Sequence, residues 1–300
     1  MSAQASPYPD FASFLRRYFP GKMQKLTVDA GFTCPNRDGT LSTGGCIYCN
    51  NLSFSPGAGM RASVTEQLEQ SRRFFSRKYT DMRYLAYFQS YTGSYGELRH
   101  LLALYDEALA VDGVDGLIIG TRPDCMPDVL LEALAGRSRR RFVMIEYGAE
   151  SSHDRTLALI NRCHTWADTA DAVRRTHAAG LPVGIHLIMG LPGESEADML
   201  ATVDAVNLLP VDVVKFHQLQ VVRGTRLHAM LERGEIEVPE MSVDDYIELC
   251  VKIVGRLRDD IVIERFVSQS PAGMLVSPRW GLKNYEFAER LRKRLLSGHL

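Results

Sequence analysis

The sequence predicts an α/β fold, a partial (β/α)6 TIM-like barrel with a small C-terminal α/β extension. Between residues 23 and 220, short apolar runs alternate with amphipathic stretches. The runs are continuously apolar rather than alternating, as in parallel strands covered by right-handed crossovers. At the carboxyl end of nearly every run the sequence turns polar or glycine-rich, which is where ligands bind in such folds. Six units favour an open barrel over a closed eightfold one.

The first strand is read at residues 23–30 (MQKLTVDA) and ends in a cysteine-rich loop. Ser63-Val64-Thr65-Glu66 reads as a capping box opening a helix with Val64, Leu68 and Phe75 on its apolar face. A strand near Arg83–Gln89 follows. Ser94-Tyr95-Gly96-Glu97 repeats the pattern before Leu98, Leu101, Leu102, Tyr105, Ala108 and Leu109, spaced as one helical face. Next come a strand at 115–120, a short helix after Pro127, a strand at 141–146, and a helix from Trp166 stopped at Gly180, a C-cap residue. A strand at 181–189, a helix from Ser195 to Asn207 and a strand at 211–217 complete the core. Beyond it lie a helix near 243–257, a strand at 261–266 and a closing helix near 283–297. The division expected is an N-terminal extension over 1–22, a barrel core over 23–220, and an extension over 221–300 completing the barrel side.

Composition fits an intracellular enzyme. The opening run MSAQASPYPDF has neither the basic start nor the apolar core of a signal peptide, and no stretch reaches the roughly 20 apolar residues of a membrane span. The expectation is a cytoplasmic protein with no membrane partner. With 300 residues, 45% of them hydrophobic, the chain can bury a sizeable core. Its 35 basic and 36 acidic residues leave a net charge of −1, so no global field attracts nucleic acid and any polyanion contact must be local.

Three of the six cysteines, Cys34, Cys46 and Cys49, fall within GFTCPNRDGTLSTGGCIYCNN, a loop otherwise rich in Gly, Asn, Thr and Ser. With almost no apolar surface there to pack, the thiols read as metal ligands. Gly39, Gly44 and Gly45 let the loop curl back. A structural zinc site wants four Cys or His ligands, and none follows before Arg99; an iron–sulfur cluster held by three thiolates leaves one iron open. Spacing leaves a catalytic cluster, a zinc site with a distant ligand and free thiols as alternatives. The polar strand ends bring Gln89, Ser90, Arg122, Glu146 and His186 toward the same mouth.

These blocks, GFTCPNRDGT…GGCIYCN, AYFQSYT, GTRPDC, EYGAES…DRTL…INRCH and HLIMGLPGE, resemble the radical S-adenosylmethionine superfamily, and within it the YhcC/YtqA-type group, across residues 11–282. They are also similar to the catalytic subunit of Elongator and the oxygen-independent coproporphyrinogen oxidases. Eleven residues separate Cys34 from Cys46 where the superfamily commonly has three between its first two cysteines; that group shares the longer loop. The resemblance implies a 4Fe-4S cluster on Cys34, Cys46 and Cys49, with S-adenosylmethionine on the open iron and an external flavodoxin- or ferredoxin-type electron donor. It implies Tyr48 near adenine, Gln89, Ser90, Tyr91 and Thr92 near the methionine amino group, and Arg162 at the carboxylate. It implies His186, Ile188 and Gly190 along adenine.

Glu146, flanked by apolar residues on its strand, needs a partner or a ligand: the ribose, the amino group, or Arg122. Cys125, at the mouth of the third strand, is a weak catalytic candidate, and Cys250 reads as core. Basic runs at Arg137–Arg141 and Arg290–Arg294, with Trp280 for stacking, offer a local track for RNA. Kinship to Elongator points to tRNA wobble-uridine modification. The alternative is a non-catalytic metal-binding adaptor with a structural cysteine loop.

Overall fold

The computed structural model describes residues 6–53, 62–77 and 81–298; the start of the MSAQASPYPDF run lies outside them. In order, the chain forms α1 (Phe11–Leu15), β1 (Met23–Val28), α2 (Val64–Ser76), β2 (Arg83–Phe88), α3 (Leu98–Ala110), β3 (Val114–Thr121), α4 (Asp128–Ser138) and β4 (Phe142–Glu150). It continues through α5 (Asp154–Leu159), α6 (Trp166–Ala178), β5 (Val183–Met189), α7 (Glu196–Asn207) and β6 (Val213–Gln218). The C-terminal part holds β7 (Val221–Val222), α8 (Arg226–Glu232), α9 (Val243–Arg256), β8 (Val262–Arg265), β9 (Leu275–Ser277) and α10 (Asn284–Ser297).

Seven strands make one parallel sheet in the order β1-β2-β3-β4-β5-β6-β8, curled into a half-barrel. The strand read at 261–266 therefore joins the core sheet beside β6. Pro9 and Asp10 lie along its outer edge, where Ile263 N–H donates to Pro9 O at 2.9 Å.

Two-residue periodicity explains how the interior is filled. On its inward face the half-barrel buries Leu85, Ile118, Met144, Val213 and Val262 against Phe14 of α1. Two positions further along their strands, Tyr87, Glu146, Lys215 and Glu264 form a polar layer nearer the carboxyl ends. The outward face, including Ala86, Phe88, Ile119, Ile145, Ile185 and Phe216, packs under the helices.

Capping sets the helix starts. Ser63 and Glu66 form the expected box at α2, and Thr165/Asp168, Ser195/Asp198 and Ser242/Asp245 form three more with aspartate in the third position. At α3 the expectation fails. Glu97 is itself the cap, accepting from Arg99 and His100 N–H, while Ser94 Oγ bonds Thr121 Oγ1 and Cys125 O at 2.5 Å. The helix starts at Leu98, too near Glu97 for a box counted from Ser94. Sequence patterning also missed α5 and the antiparallel β7–β9 pair, both too short for a periodic signal.

Candidate functional site

The cysteine loop is held by backbone at its middle. Ile47, between the two close cysteines, is fully buried; its N–H donates to Ile160 O at 3.0 Å and its C=O accepts from Leu227 N–H at 2.8 Å. Its neighbours are Leu157, Ile160, Ile188, Leu191 and Leu227, a second apolar core beneath the mouth. The expectation of a loop with little to bury thus holds for residues 37–44 and fails at its ends, where Cys34, Pro35, Asn36, Cys46 and Ile47 are buried.

One cavity at the carboxyl ends of the strands is lined by all three cysteines. Asn36 Nδ2 and Arg162 Nη1 each approach Cys46 Sγ at 3.6 Å. Burial pushes the Cys49 thiol up to about 12, with Cys46 and Cys34 adding to the rise and Arg37 opposing it. A buried Cys49 thiol whose ionisation is discouraged suits a cationic centre, which inverts that preference and holds it as a thiolate. Among the described residues no three Cys, His, Asp or Glu side chains are already drawn together around a single ion position.

The same cavity has donors in surplus. Arg162 donates to Gly148 O at 2.6 Å and lies 3.4 Å from Glu150, yet its Nε has no partner. Arg122 is 1% exposed and forks onto Asp124 at 2.9 and 2.8 Å, leaving Nη1 without a partner; Thr92 Oγ1 has none either. Buried donors without acceptors are costly, so these three atoms mark where an anionic, hydrogen-bonding ligand fits. A Cβ on Gly148 would lie 2.5 Å from Arg162 Nη2, so only glycine lets that guanidinium approach the strand.

The floor is a buried ion network. Glu146 accepts from Lys25 Nζ and Tyr87 OH at 2.7 Å and from His186 Nε2 at 2.8 Å, with Lys215 Nζ at 3.4 Å. Glu264 receives Lys25 at 2.5 Å and Lys215 at 3.2 Å. Burial opposes Glu146 ionisation, but Lys215 and Lys25 outweigh it and hold the carboxyl well below its usual range. The two lysines differ because their geometry differs. Burial lowers both, but Lys25 makes two short bonds that carry it above its ordinary value, whereas the longer contacts of Lys215 leave it near 8.

Of the residues singled out from sequence, Cys34, Cys46, Cys49, Tyr48, Gln89, Tyr91, Thr92, Arg122, Glu146, Arg162, His186 and Ile188 all line this cavity. Three do not. Ser90 is buried beside it, Cys125 lies off it with its thiol pushed by burial to about 12, and Gly190 turns away at φ +84, its N–H on Met199 Sδ. The proposed Glu146–Arg122 pair does not form: Arg122 is committed to Asp124, and Glu146 to the lysines, His186 and Tyr87. Some residues of the RNA track are engaged within the protein. Trp280 packs on Tyr246 and Phe287 and donates to Met241 O, while Arg137, Arg292 and Arg294 pair with Asp106, Glu289 and Glu248. Sequence reasoning missed Gly148, Glu150, His217 and Arg265; the glycine in EYGAE was the available signal for the first.

An open parallel half-barrel with three thiols and unfilled cationic donors at its mouth defines a cofactor-dependent enzyme rather than a structural metal module. The model described as the Radical SAM superfamily matches residues 36–206, and the Radical_SAM C-terminal domain matches 211–297. YtqA of Bacillus subtilis is 33% identical over 282 residues, 94% of this chain and 87% of that protein. YhcC of Escherichia coli K12 is 36% identical over 271 residues, 90% and 86%. The archaeal Methanocaldococcus infernus Elp3 structure superposes with a TM-score of 0.67 at 19% identity, over 93% of this chain and 63% of that one, a likeness of fold. A shorter match, 31% over 124 residues, covers 40% of this chain and 23% of the tRNA uridine(34) acetyltransferase of the same archaeon. The chain belongs to the radical SAM superfamily, in its YhcC/YtqA-type group. That superfamily works with a 4Fe-4S cluster and S-adenosylmethionine and draws electrons from a reductant. No described helix is long and apolar enough to cross a membrane.

Proposed function

We propose that Cys34, Cys46 and Cys49 hold the cluster, that the donors around Arg122 and Arg162 seat S-adenosylmethionine, and that the enzyme modifies a tRNA wobble uridine. The observation that carries the site assignment is the meeting, in one cavity, of the three thiols with three buried donors that lack acceptors. When bound and reduced by a flavodoxin- or ferredoxin-type donor, the pair supplies a 5′-deoxyadenosyl radical that takes hydrogen from substrate.

The protein's own residues do the rest. Ile47 fixes the spacing of the close cysteines by its two backbone bonds. Arg162, steered by Gly148 O and Glu150, offers its free Nε toward a carboxylate, and Arg122 offers Nη1. Tyr48 and Ile188 give an apolar shelf for adenine, and Gln89, Tyr91 and Thr92 complete the methionine side. The enclosed floor keeps bulk water from a reactive intermediate.

The tRNA reading draws its support from the partial likeness to the tRNA uridine(34) acetyltransferase. Anaerobic reconstitution with iron and sulfide, then assay of 5′-deoxyadenosine from S-adenosylmethionine and reductant, tests the radical step. Product is expected from wild type and not from Cys49→Ala; a fully loaded wild-type cluster that yields none refutes it. Mass spectrometry of tRNA nucleosides from a deletion strain tests the substrate, and an unchanged profile argues against tRNA.

A further inference from the structure

The charges inside the half-barrel do not balance, and the surplus sits at one place. Lys25 and Lys215 each meet Glu146 and Glu264, two cations against two carboxylates. Arg265 is a third cation on the inward side. Among the described residues no carboxylate pairs with it: its one polar contact is Nη2 to His217 Nδ1 at 3.3 Å, and its buried Nε has no partner.

A bulge puts it there. Along β8, Val262 faces inward, Ile263 outward and Glu264 inward to the lysines. Strict alternation would send Arg265 out among the helices. Instead the pairing with β6 runs Val214 to Ile263 and then Lys215 to Arg265, skipping Glu264. Two consecutive charged residues thus face the interior, and Phe266 resumes the outward side, stacked on Phe216 at 5.6 Å. Bulges beside active sites commonly re-aim a side chain in this way.

His217 completes the arrangement. Because Arg265 donates to Nδ1, the neutral ring carries its proton on Nε2. Burial, then the neighbouring Arg265, His186 and Lys215, keep the ring well below its ordinary value, so it stays neutral and donates. The rest of the wall is already committed. Gln218 exchanges two hydrogen bonds with the Ser268 backbone, and Gln220 is held by Ser268 O and Ser270 Oγ.

We propose that Arg265 and His217 form a subsite on the β6–β8 wall for the carboxylate of a small co-substrate bound in the same cavity. One surplus positive charge matches one negative charge, and the guanidinium fork suits two coplanar oxygens. This subsite shares the cavity with the donors at the cysteine loop but uses none of the same residues. Its catalytic meaning rests on the radical reading above; the binding itself does not.

The test is calorimetric titration of the reconstituted full-length protein, with S-adenosylmethionine present to occupy the cysteine side, using acetate, acetamide and dimethyl phosphate as probes. Acetate is expected to bind in the millimolar range and acetamide not at all. Arg265→Gln should weaken acetate by about tenfold or more, and Arg265→Lys, which keeps charge but loses the fork, by less. No acetate binding to wild type, equal binding of acetamide, or unchanged affinity in Arg265→Gln overturns the proposal. Dimethyl phosphate binding tighter than acetate overturns the carboxylate assignment in favour of a nucleic-acid backbone. Acetate binding without any 5′-deoxyadenosine formation refutes the radical reading alone.

Discussion

Glu146 is the residue on which the cavity floor depends, since two lysines, a histidine and a tyrosine converge on its two oxygens. Replacing it by Gln leaves Lys25 and Lys215 buried against one carboxylate, and removing a partner from such a pair typically costs about 3–5 kcal/mol. Urea denaturation should read a loss of that size. The pH dependence has two signed parts. Glu146 is depressed in the folded state, so its stabilisation is present above the unfolded carboxylate value and disappears as pH falls through the lower folded one. Lys215 is depressed to about 8, so between that value and its unfolded value near ~10.4 the unfolded chain binds more protons, and this residue makes stability rise with pH. At the cofactor side, Gly148→Ala forces Arg162 off its position. We expect KM for S-adenosylmethionine to rise on the order of tenfold, one charge-assisted bond, with a smaller change in kcat. An unchanged KM would separate Arg162 from cofactor binding. Spacing singled out the three cysteines, which line one cavity, but left their role open between a cluster, zinc and free thiols. Glu146 was recognisable as a buried carboxylate but not its partners, because Lys25 and Lys215 lie 121 and 69 residues away in the chain.

Elements divide by how local their signal is. The α3 stripe was plain from sequence because Leu101, Tyr105 and Ala108 repeat at helical spacing and all are buried. The capping boxes at α6, α7 and α9 are equally local, and each is open to test. Ser195→Ala removes an N-cap that accepts from Asp198 N–H, a change worth about 1 kcal/mol, which should lower Tm by roughly 2–4 °C in a chain of this size. A melting curve superimposable on wild type would mean the cap contributes nothing. The bulge at Glu264 had no such signal. It is a property of how β8 pairs with β6, so IVIERF reads as an ordinary short strand and Arg265 as an outward residue. The seventh strand was seen as a strand in an extension completing the barrel side, but nothing in its own residues says which neighbour it joins.

At the scale of the molecule, a half-barrel leaves its amino-terminal end and its outer strand edge to be covered, and residues 9–19 do this. Phe14 is completely buried beneath the apolar interior layer, while Pro9 and Asp10 run along β8. Phe14→Ala should cost about 3–5 kcal/mol by chemical denaturation, as for other large core truncations. A cost below a third of that would show the segment to be a loose cover. The barrel class was legible because it follows from alternation repeated along the chain; the N-terminal closure was not, because α1 is a single turn and a half whose purpose appears only against strands that come much later.

Lys25 and Glu264 join the two edge strands of the seven-stranded sheet, β1 and β8, across 239 residues of sequence. On a ribosome, the lysine emerges long before the carboxylate that it needs, and the half-barrel cannot fasten its two edges until nearly the whole chain is out. Until then the cysteine loop stands without the floor behind it, and before Leu227 is made it lacks the backbone clasp on Ile47. The order of assembly is written into which residues wait for which.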